Sequence, residues 1–344
     1  MRSMVEPVTA EEFSDLAEPF RVELLAHCYR MTGSVQDAED LVQDTYLRAW
    51  RSYDRFEHRS SLRTWLYRIA TNACITALRH SGRRMLPSGL GPPSADPAAA
   101  PETAGPGTRW IEPLPDAMLA AADGDPAMIA IGRETVRLAL VASLQYLSPR
   151  QRAVLILRDV LAWPAAQVAE TLDMNVGAVK SLLQRARRRL EEVKPEMGDV
   201  LEPSHPEALR LLRQYMDAFE RADTAAFERV LRQDAVLEIA GTATWFEGRR
   251  ACVPYLVDHV VMEPGRWRTL ATAANGQPAL APYRRAGDGT YRGFGIGLLT
   301  VTGTGIARVT VFRGLDLLER CGLPASLPAR GATQLRHFAK MGLV

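Results

Sequence analysis

The sequence predicts a multidomain chain: two all-α domains, the second carrying a helix-turn-helix, followed by an α+β domain. Three observations predict it. Residues 58–84 hold six arginines (Arg59, Arg63, Arg68, Arg79, Arg83, Arg84) and no Asp or Glu, with Trp65 and Tyr67 interleaved. Residues 164–190 read as helix, tight turn and basic helix. Beyond Pro195 and Pro203 the pattern changes to two helices and then short strands separated by glycine turns. The first two surfaces are of the kind that binds nucleic acid. Two of them on one chain, joined by a spacer, point to the reading of two separated DNA elements.

The 344 residues leave room for two or three domains, and 47% hydrophobic with 24% charged residues is ordinary for a globular chain. The net charge of +2 is uninformative, but its distribution is not. Residues 34–47 hold four acids (Asp37, Glu39, Asp40, Asp44) and no base. That asymmetry implies two partners of opposite character. Cys28, Cys74, Cys252 and Cys321 lie far apart, so neither zinc nor another cofactor is expected, and a reduced cytoplasmic setting follows. The first 13 residues have no apolar core and no run is long enough to span a bilayer, so neither a leader nor a membrane partner is expected.

The first domain, residues 1–84, opens with the capping box Thr9-Ala10-Glu11-Glu12. Ser34-Val35-Gln36-Asp37 opens a second helix running to about Ser52, on which Asp37, Asp40 and Asp44 share one face. A third helix runs from Ser61 to about His80. Its apolar stripe is Leu62, Trp65, Leu66, Ile69, Ala73 and Ala77; its outward positions are Arg63, Tyr67, Arg68, Thr71, Asn72 and Arg79. Residues 85–129 form a linker. Ten of the 25 residues in 85–109 are Pro or Gly, a composition expected to bury too little apolar surface to order the chain. The apolar insert Trp110-Ile111-Glu112-Pro113-Leu114-Pro115-Asp116 is expected to dock.

The second helical domain, residues 130–197, contains a strong helix start at Ser148-Pro149-Arg150-Gln151. In the helix-turn-helix, Asp173 stands where glycine is common and must take a left-handed conformation, which Asp tolerates. Asn175 caps the second helix. Val176, Val179, Leu182, Leu183, Ala186 and Leu190 form its buried stripe, leaving Gly177, Lys180, Ser181, Gln184, Arg185 and Arg188 outward. Residues 180–189 carry five positive charges and no negative one. Gln184 and Arg185 suit base edges, and Arg187 to Arg189 suit phosphate. The third domain, residues 205–325, has helices at 207–222 and 224–232, then strands at 235–239, 267–273, 279–285, 291–301 and 306–313, with an undefined tail at 326–344.

These motifs resemble the sigma-70 family of RNA polymerase sigma factors, of the extracytoplasmic-function type. Residues 37–50 (DAEDLVQDTYLRAW) resemble its region 2.2; residues 63–72 (RTWLYRIATN) resemble the helix that meets the minus-ten element; Leu147-Ser148-Pro149-Arg150-Gln151-Arg152 and the helix-turn-helix resemble region 4, which reads the minus-thirty-five element. The resemblance implies that Asp37, Asp40, Leu41, Gln43, Asp44 and Leu47 bind core polymerase at its β′ clamp helices, with region 4 at the β flap. It implies that Arg63, Tyr67, Arg68, Asn72 and Arg79, with Asn175, Lys180, Ser181, Gln184, Arg185 and Arg188, bind promoter DNA. One departure stands out: family recognition helices often read V-K-S-R-L, and here Val179-Lys180-Ser181-Leu182-Leu183 lacks that arginine.

The third domain resembles the SnoaL-like branch of the nuclear-transport-factor-2-like fold, a cone-shaped α+β domain. The resemblance rests on residues 212–219, 234–236, 245–249 and 274–279 and on Cys321-Gly322-Leu323-Pro324. It implies modulation of sigma activity, and a small-molecule or intramolecular ligand for a pocket with Asp234, Trp245, Tyr255, His259, Asn275 and Gln277 as candidates. No acid–base pair stands out, so no catalytic residue is assigned. Two other readings remain: a dimeric helix-turn-helix repressor with a ligand-binding C-terminal domain, which leaves the acidic and basic helices unexplained, and an isomerase or cyclase tethered to DNA.

Overall fold

The computed structural model describes residues 9–56, 60–79, 81–119, 135–193 and 200–329. The expectations for the start of the second helical domain and for the end of the tail lie outside them. The chain divides into two compact units, Met1–Arg84 with Leu119–Lys194, and Met85–Met118 with Pro195–Val344.

The first unit is helical. Helix α1 (Ala10–Ala17) starts on a complete capping box, with Thr9 Oγ1 accepting from the Glu12 N–H and Glu12 accepting from the Thr9 N–H. Helix α2 (Arg21–Thr32) ends at Gly33, whose φ of 71° closes the helix in the left-handed region. Ser34 then caps α3 (Val35–Ser52) by accepting from the Asp37 N–H at 3.1 Å. Helix α4 (Leu62–Leu78) starts on Ser61 in the same way. Leu24, Leu25, Cys28 and Tyr29 of α2 belong to the buried core with Ala38 and Val42 of α3 and Leu66, Ala70 and Cys74 of α4.

Helices α5 (Leu138–Leu144), α6 (Pro149–Leu155), α7 (Ala165–Thr171) and α8 (Val176–Val193) belong to this unit as well. Arg152 of α6 is buried and donates to the Met31 carbonyl at the end of α2, to Gln145 Oε1 at 2.9 Å and to the Leu147 carbonyl at 3.2 Å. Burial pulls its guanidinium down to about 10, still charged at neutral pH. Two helical regions distant in sequence are thereby tied into one core.

The second unit is α+β, as the strand pattern predicts. Helices α9 (Pro206–Arg221) and α10 (Thr224–Val230) precede β1 (Leu231–Ile239), β2 (Trp245–Glu247), α11 (Arg249–Tyr255), β3 (Trp267–Ala274), β4 (Gln277–Arg285), β5 (Tyr291–Gly293), β6 (Gly295–Thr302), β7 (Gly305–Arg313), α12 (Leu315–Arg320) and β8 (Ser326–Leu327). The sheet order is β8-β5-β4-β6-β7-β1-β2, with β3 also on β4; β1 and β7 are parallel and the other pairs antiparallel. The single strand expected at 291–301 is two, broken at Phe294. There the backbones pack so closely that a Cβ on Gly295 would run into the Phe312 carbonyl. Residues 326–327, expected in the tail, extend the sheet by pairing with Tyr291 and Arg292. The core between α9 and the sheet is aromatic: Tyr215–Phe227 and Phe219–Trp267 meet edge to face at 5.3 and 5.6 Å.

Residues 85–118 belong to this unit, against the expectation of an unordered linker. Hydrogen bonds and a few buried side chains share the hold. The Trp245 indole N–H donates to the Gly91 carbonyl at 2.9 Å, the Ser94 N–H to the Trp245 carbonyl at 2.8 Å, and the Ala243 N–H to the Glu102 carbonyl at 2.8 Å. Leu86, Ile111 and Leu114 supply the buried anchors. Polar backbone paired to a domain surface orders a chain whose composition alone would not.

Candidate functional site

Helix α3 presents an acidic face with apolar residues on it. Asp40, Gln43, Leu47 and Trp50 are exposed, Leu47 by 51% and Trp50 by 39%. Asp44 is half-buried and its carboxylate is held by Arg48 at 2.8 Å. Asp37 is engaged inside the unit, pairing with Arg84 at 2.8 Å. Leu41 is buried in the helical core, not on the exposed face where it was expected. Its neighbours Ala38, Val42 and Thr45 are buried with it, so the α3 stripe takes in position 41.

Helix α4 is packed on more than one side, which rotates its buried surface from the expected stripe. Leu66, Tyr67, Ala70, Thr71, Ala73, Cys74 and Ile75 are buried. Tyr67, expected outward, meets Trp163 edge to face at 5.5 Å and His27 at 5.1 Å. Its hydroxyl donates to Glu23 Oε2 at 3.3 Å, and burial pushes its ionisation up. Thr71, also expected outward, shares a hydrogen bond with His27 Nε2 at 2.9 Å. Arg63 forks onto the Glu23 carboxylate at 2.6 to 2.9 Å and is half-buried. Arg68, Asn72 and Arg79 remain exposed. Trp65 is half-buried and stacks on Phe56 with centroids 4.6 Å apart, while Ala77 is exposed rather than in the stripe.

The helix-turn-helix is built as its residues dictate. The turn places Asp173 at φ 51°, and the Met174 N–H closes it on the Ala169 carbonyl at 2.9 Å. Asn175 caps α8, its Oδ1 accepting from the Ala178 N–H at 2.8 Å. Val179, Leu183 and Ala186 are buried, whereas Val176, expected in the stripe, is exposed at the start of the helix. Gly177, Lys180, Ser181, Gln184, Arg185 and Arg188 share the exposed face. Arg187 is committed to Asp159 through two hydrogen bonds of 2.9 and 2.7 Å, and Arg189 to Glu192 at 2.8 Å; of the three expected phosphate contacts, Arg188 is the one without such a clamp among these contacts.

In the second unit a cavity of about 200 Å³ opens beside β1, β3, β4 and β7. Tyr255 and His259 line it; the other candidates do not. Asp234 is exposed and held by Arg232 at 2.6 Å. Gln277 donates to Thr300 Oγ1 at 2.9 Å inside the sheet. Trp245 and Asn275 serve the linker. Asn275 sits at φ 56°, its Oδ1 accepts from the Leu114 N–H at 2.9 Å, and its own N–H donates to the Leu114 carbonyl at 2.8 Å. Asp116 accepts from the next N–H, that of Gly276, at 2.8 Å. The insert and the turn thus read each other's backbone.

Three family descriptions match this chain: sigma-70 region 2 at residues 16–84, sigma-70 region 4 at residues 137–190, and the SnoaL-like domain at residues 212–315. The ECF RNA polymerase sigma factor SigG of Mycobacterium tuberculosis is 48% identical over 318 residues, covering 92% of this chain and 85% of that protein. The chain belongs to the ECF sigma factors. The ECF RNA polymerase sigma factor SigJ of the same organism is 31% identical over 201 residues, covering 58% of this chain and 57% of that protein. A crystal structure of M. tuberculosis SigJ shares the fold, with a TM-score of 0.58 at 22% identity, covering 90% of this chain and 99% of that one.

As a sigma factor, the protein binds core RNA polymerase and directs promoter-specific initiation, and the repressor reading is set aside. No helix among the described residues is long and apolar enough to cross a membrane, and no group of three metal-ligating side chains occurs among them. Sequence reasoning missed two arginines that are buried among the described residues, Arg30 and Arg152. Arg152 lies in the very string that resembles region 4, so the string carried a signal for structure rather than for contact. It also missed Glu238, fully buried, which pairs with Arg308 at 2.8 Å and accepts from the Ser88 N–H of the linker at 3.2 Å.

Proposed function

We propose that this sigma factor docks on the polymerase β′ clamp helices through the exposed face of α3 (Asp40, Gln43, Asp44 and Leu47, with Trp50). Arg68, Asn72 and Arg79 meet the minus-ten element, and Lys180, Ser181, Gln184, Arg185 and Arg188 meet the minus-thirty-five element, with region 4 against the β flap. Apolar side chains ringed by acids suit a basic, partly apolar partner helix. An uninterrupted exposed basic face on a helix-turn-helix suits the major groove. The protein carries out no bond chemistry of its own in this reading, and it works in the cytoplasm.

The C-terminal domain modulates this activity through the linker. The observation that carries this is the exchange between Leu114 and Asn275: the segment joining regions 2 and 4 is hydrogen-bonded into the C-terminal domain. A change in that domain therefore alters the length of free chain between the two DNA-reading regions. Transcription by core polymerase with the full chain and with a chain lacking residues 205–344 tests it. Altered promoter activity at equal core binding supports the reading, and unchanged activity refutes it.

A further inference from the structure

We propose that the cavity of the C-terminal domain binds a small amphipathic carboxylate, its acid group gripped by Arg266, Arg284 and Arg313. The cavity has a volume of about 200 Å³. That exceeds the ~150 Å³ that holds a benzene ring and falls below the ~300 Å³ at which drug-sized pockets begin. Its floor is apolar, with Phe219, Trp267, Phe294 and Leu280 among the lining residues. Its charged lining is of one sign: three arginines, with no Asp or Glu.

The arginines reach the lining from different parts of the sheet. Arg266 leads into β3; Arg284 faces Trp267 across the β3–β4 ladder, and the Arg285 N–H donates to the Arg266 carbonyl at 2.8 Å. Arg313 ends β7 opposite Gly295, its guanidinium 5.5 Å over the Phe294 ring. Arg266 Nε is buried and has no hydrogen-bond partner, and the nearest carboxylate, Glu263, stands 4.0 Å from its terminal nitrogen and outside the cavity lining. A buried guanidinium donor without an acceptor, beside two further cations, is an arrangement that an anion completes. Guanidinium forks match the plane and the two oxygens of a carboxylate. The apolar floor demands a hydrophobic body on the other end, about the size of one or two rings or a medium alkyl chain. The placement is also suited to signalling. Leu237 and Ile239 of β1 line the cavity, and Glu238 between them reaches the linker at Ser88.

The test is calorimetric titration of the full chain with 2-naphthoate and decanoate, alongside 2-naphthylmethanol and inorganic phosphate. The expected result is saturable binding of a carboxylate at least about tenfold tighter than the alcohol, the factor a charge-assisted contact supplies. Phosphate should give no saturable heat. R284Q and R313Q, whose side chains are exposed and whose folding is checked by melting temperature, should reduce carboxylate affinity to that of the alcohol. Equal binding of acid and alcohol, binding of phosphate as tight as of the carboxylates, or no binding of either carboxylate at millimolar concentration would each overturn the proposal.

Discussion

Replacing Asn275 by alanine should release the linker insert without unfolding either unit. Two costs add. The Leu114 N–H, in a fully buried residue, loses the Oδ1 acceptor at 2.9 Å, and an abandoned buried donor costs about 1–3 kcal/mol. Position 275 holds φ 56°, where alanine is disfavoured by about 1 kcal/mol relative to Asn or Gly. The sum, about 2–4 kcal/mol, corresponds to about 30- to 1000-fold more frequent opening. Amide hydrogen exchange of the full chain reads it directly at Leu114, Asn275 and Gly276, whose N–H groups close the dock. N275D keeps the acceptor and the tolerance for this backbone but puts a carboxylate where the side chain is wholly buried, so it should open the dock more often than wild type. N275G relieves the backbone and loses only the acceptor, so it should fall between. Exchange at 111–116 within about threefold of wild type in N275A, with the melting temperature unchanged, would refute the assignment of the dock to this side chain.

Other consequences are separate. His27 is wholly buried, and burial, aided by Arg30, depresses its imidazole to about 3. The unfolded chain therefore takes up the proton first, so stability is full above the unfolded value near 6.5 and falls as pH drops toward 3. The loss at pH 5 should be about 2 kcal/mol, and an H27Q variant whose denaturant midpoint falls just as steeply between pH 7 and 5 would contradict this. R185A should cost about 1–3 kcal/mol on the cognate promoter and relax its sequence preference, whereas R188A should weaken binding to all sequences alike and lower the salt slope by about one. Footprinting at several salt concentrations separates the two. L47D should reduce core polymerase affinity at least tenfold with the helical signal intact, because it puts a charge where an exposed apolar anchor stands; a pull-down with unaltered recovery would remove Leu47 from the interface.

The helix-turn-helix was legible because every local choice agrees with it: the cap at Asn175, the left-handed Asp173 and a stripe of period 3.6. The α3 surface was nearly so, and failed at Leu41, where the face boundary falls within one residue. Helix α4 was misread because periodicity finds one buried stripe, and this helix has neighbours on two sides; Tyr67 and Thr71 belong to the second. The linker was misread for a different reason. Its Pro, Gly and Ala content predicts little burial, and its order comes from a few buried side chains together with hydrogen bonds between its backbone and the strand ends and turns of the domain, which carry no compositional mark. Asn275 was expected in a pocket; with Gly276 it forms a turn, and the insert uses it. The cavity arginines were invisible because they lie at strand ends far apart in sequence, where single charges read as solvated surface.

The most direct test of the account is run-off transcription with core RNA polymerase on the DNA upstream of this gene, paired with a measurement of core binding. The purified chain should bind core polymerase and yield a discrete transcript that the helix-turn-helix variant R185A reduces. A chain that neither binds core nor yields a promoter-dependent transcript would contradict it.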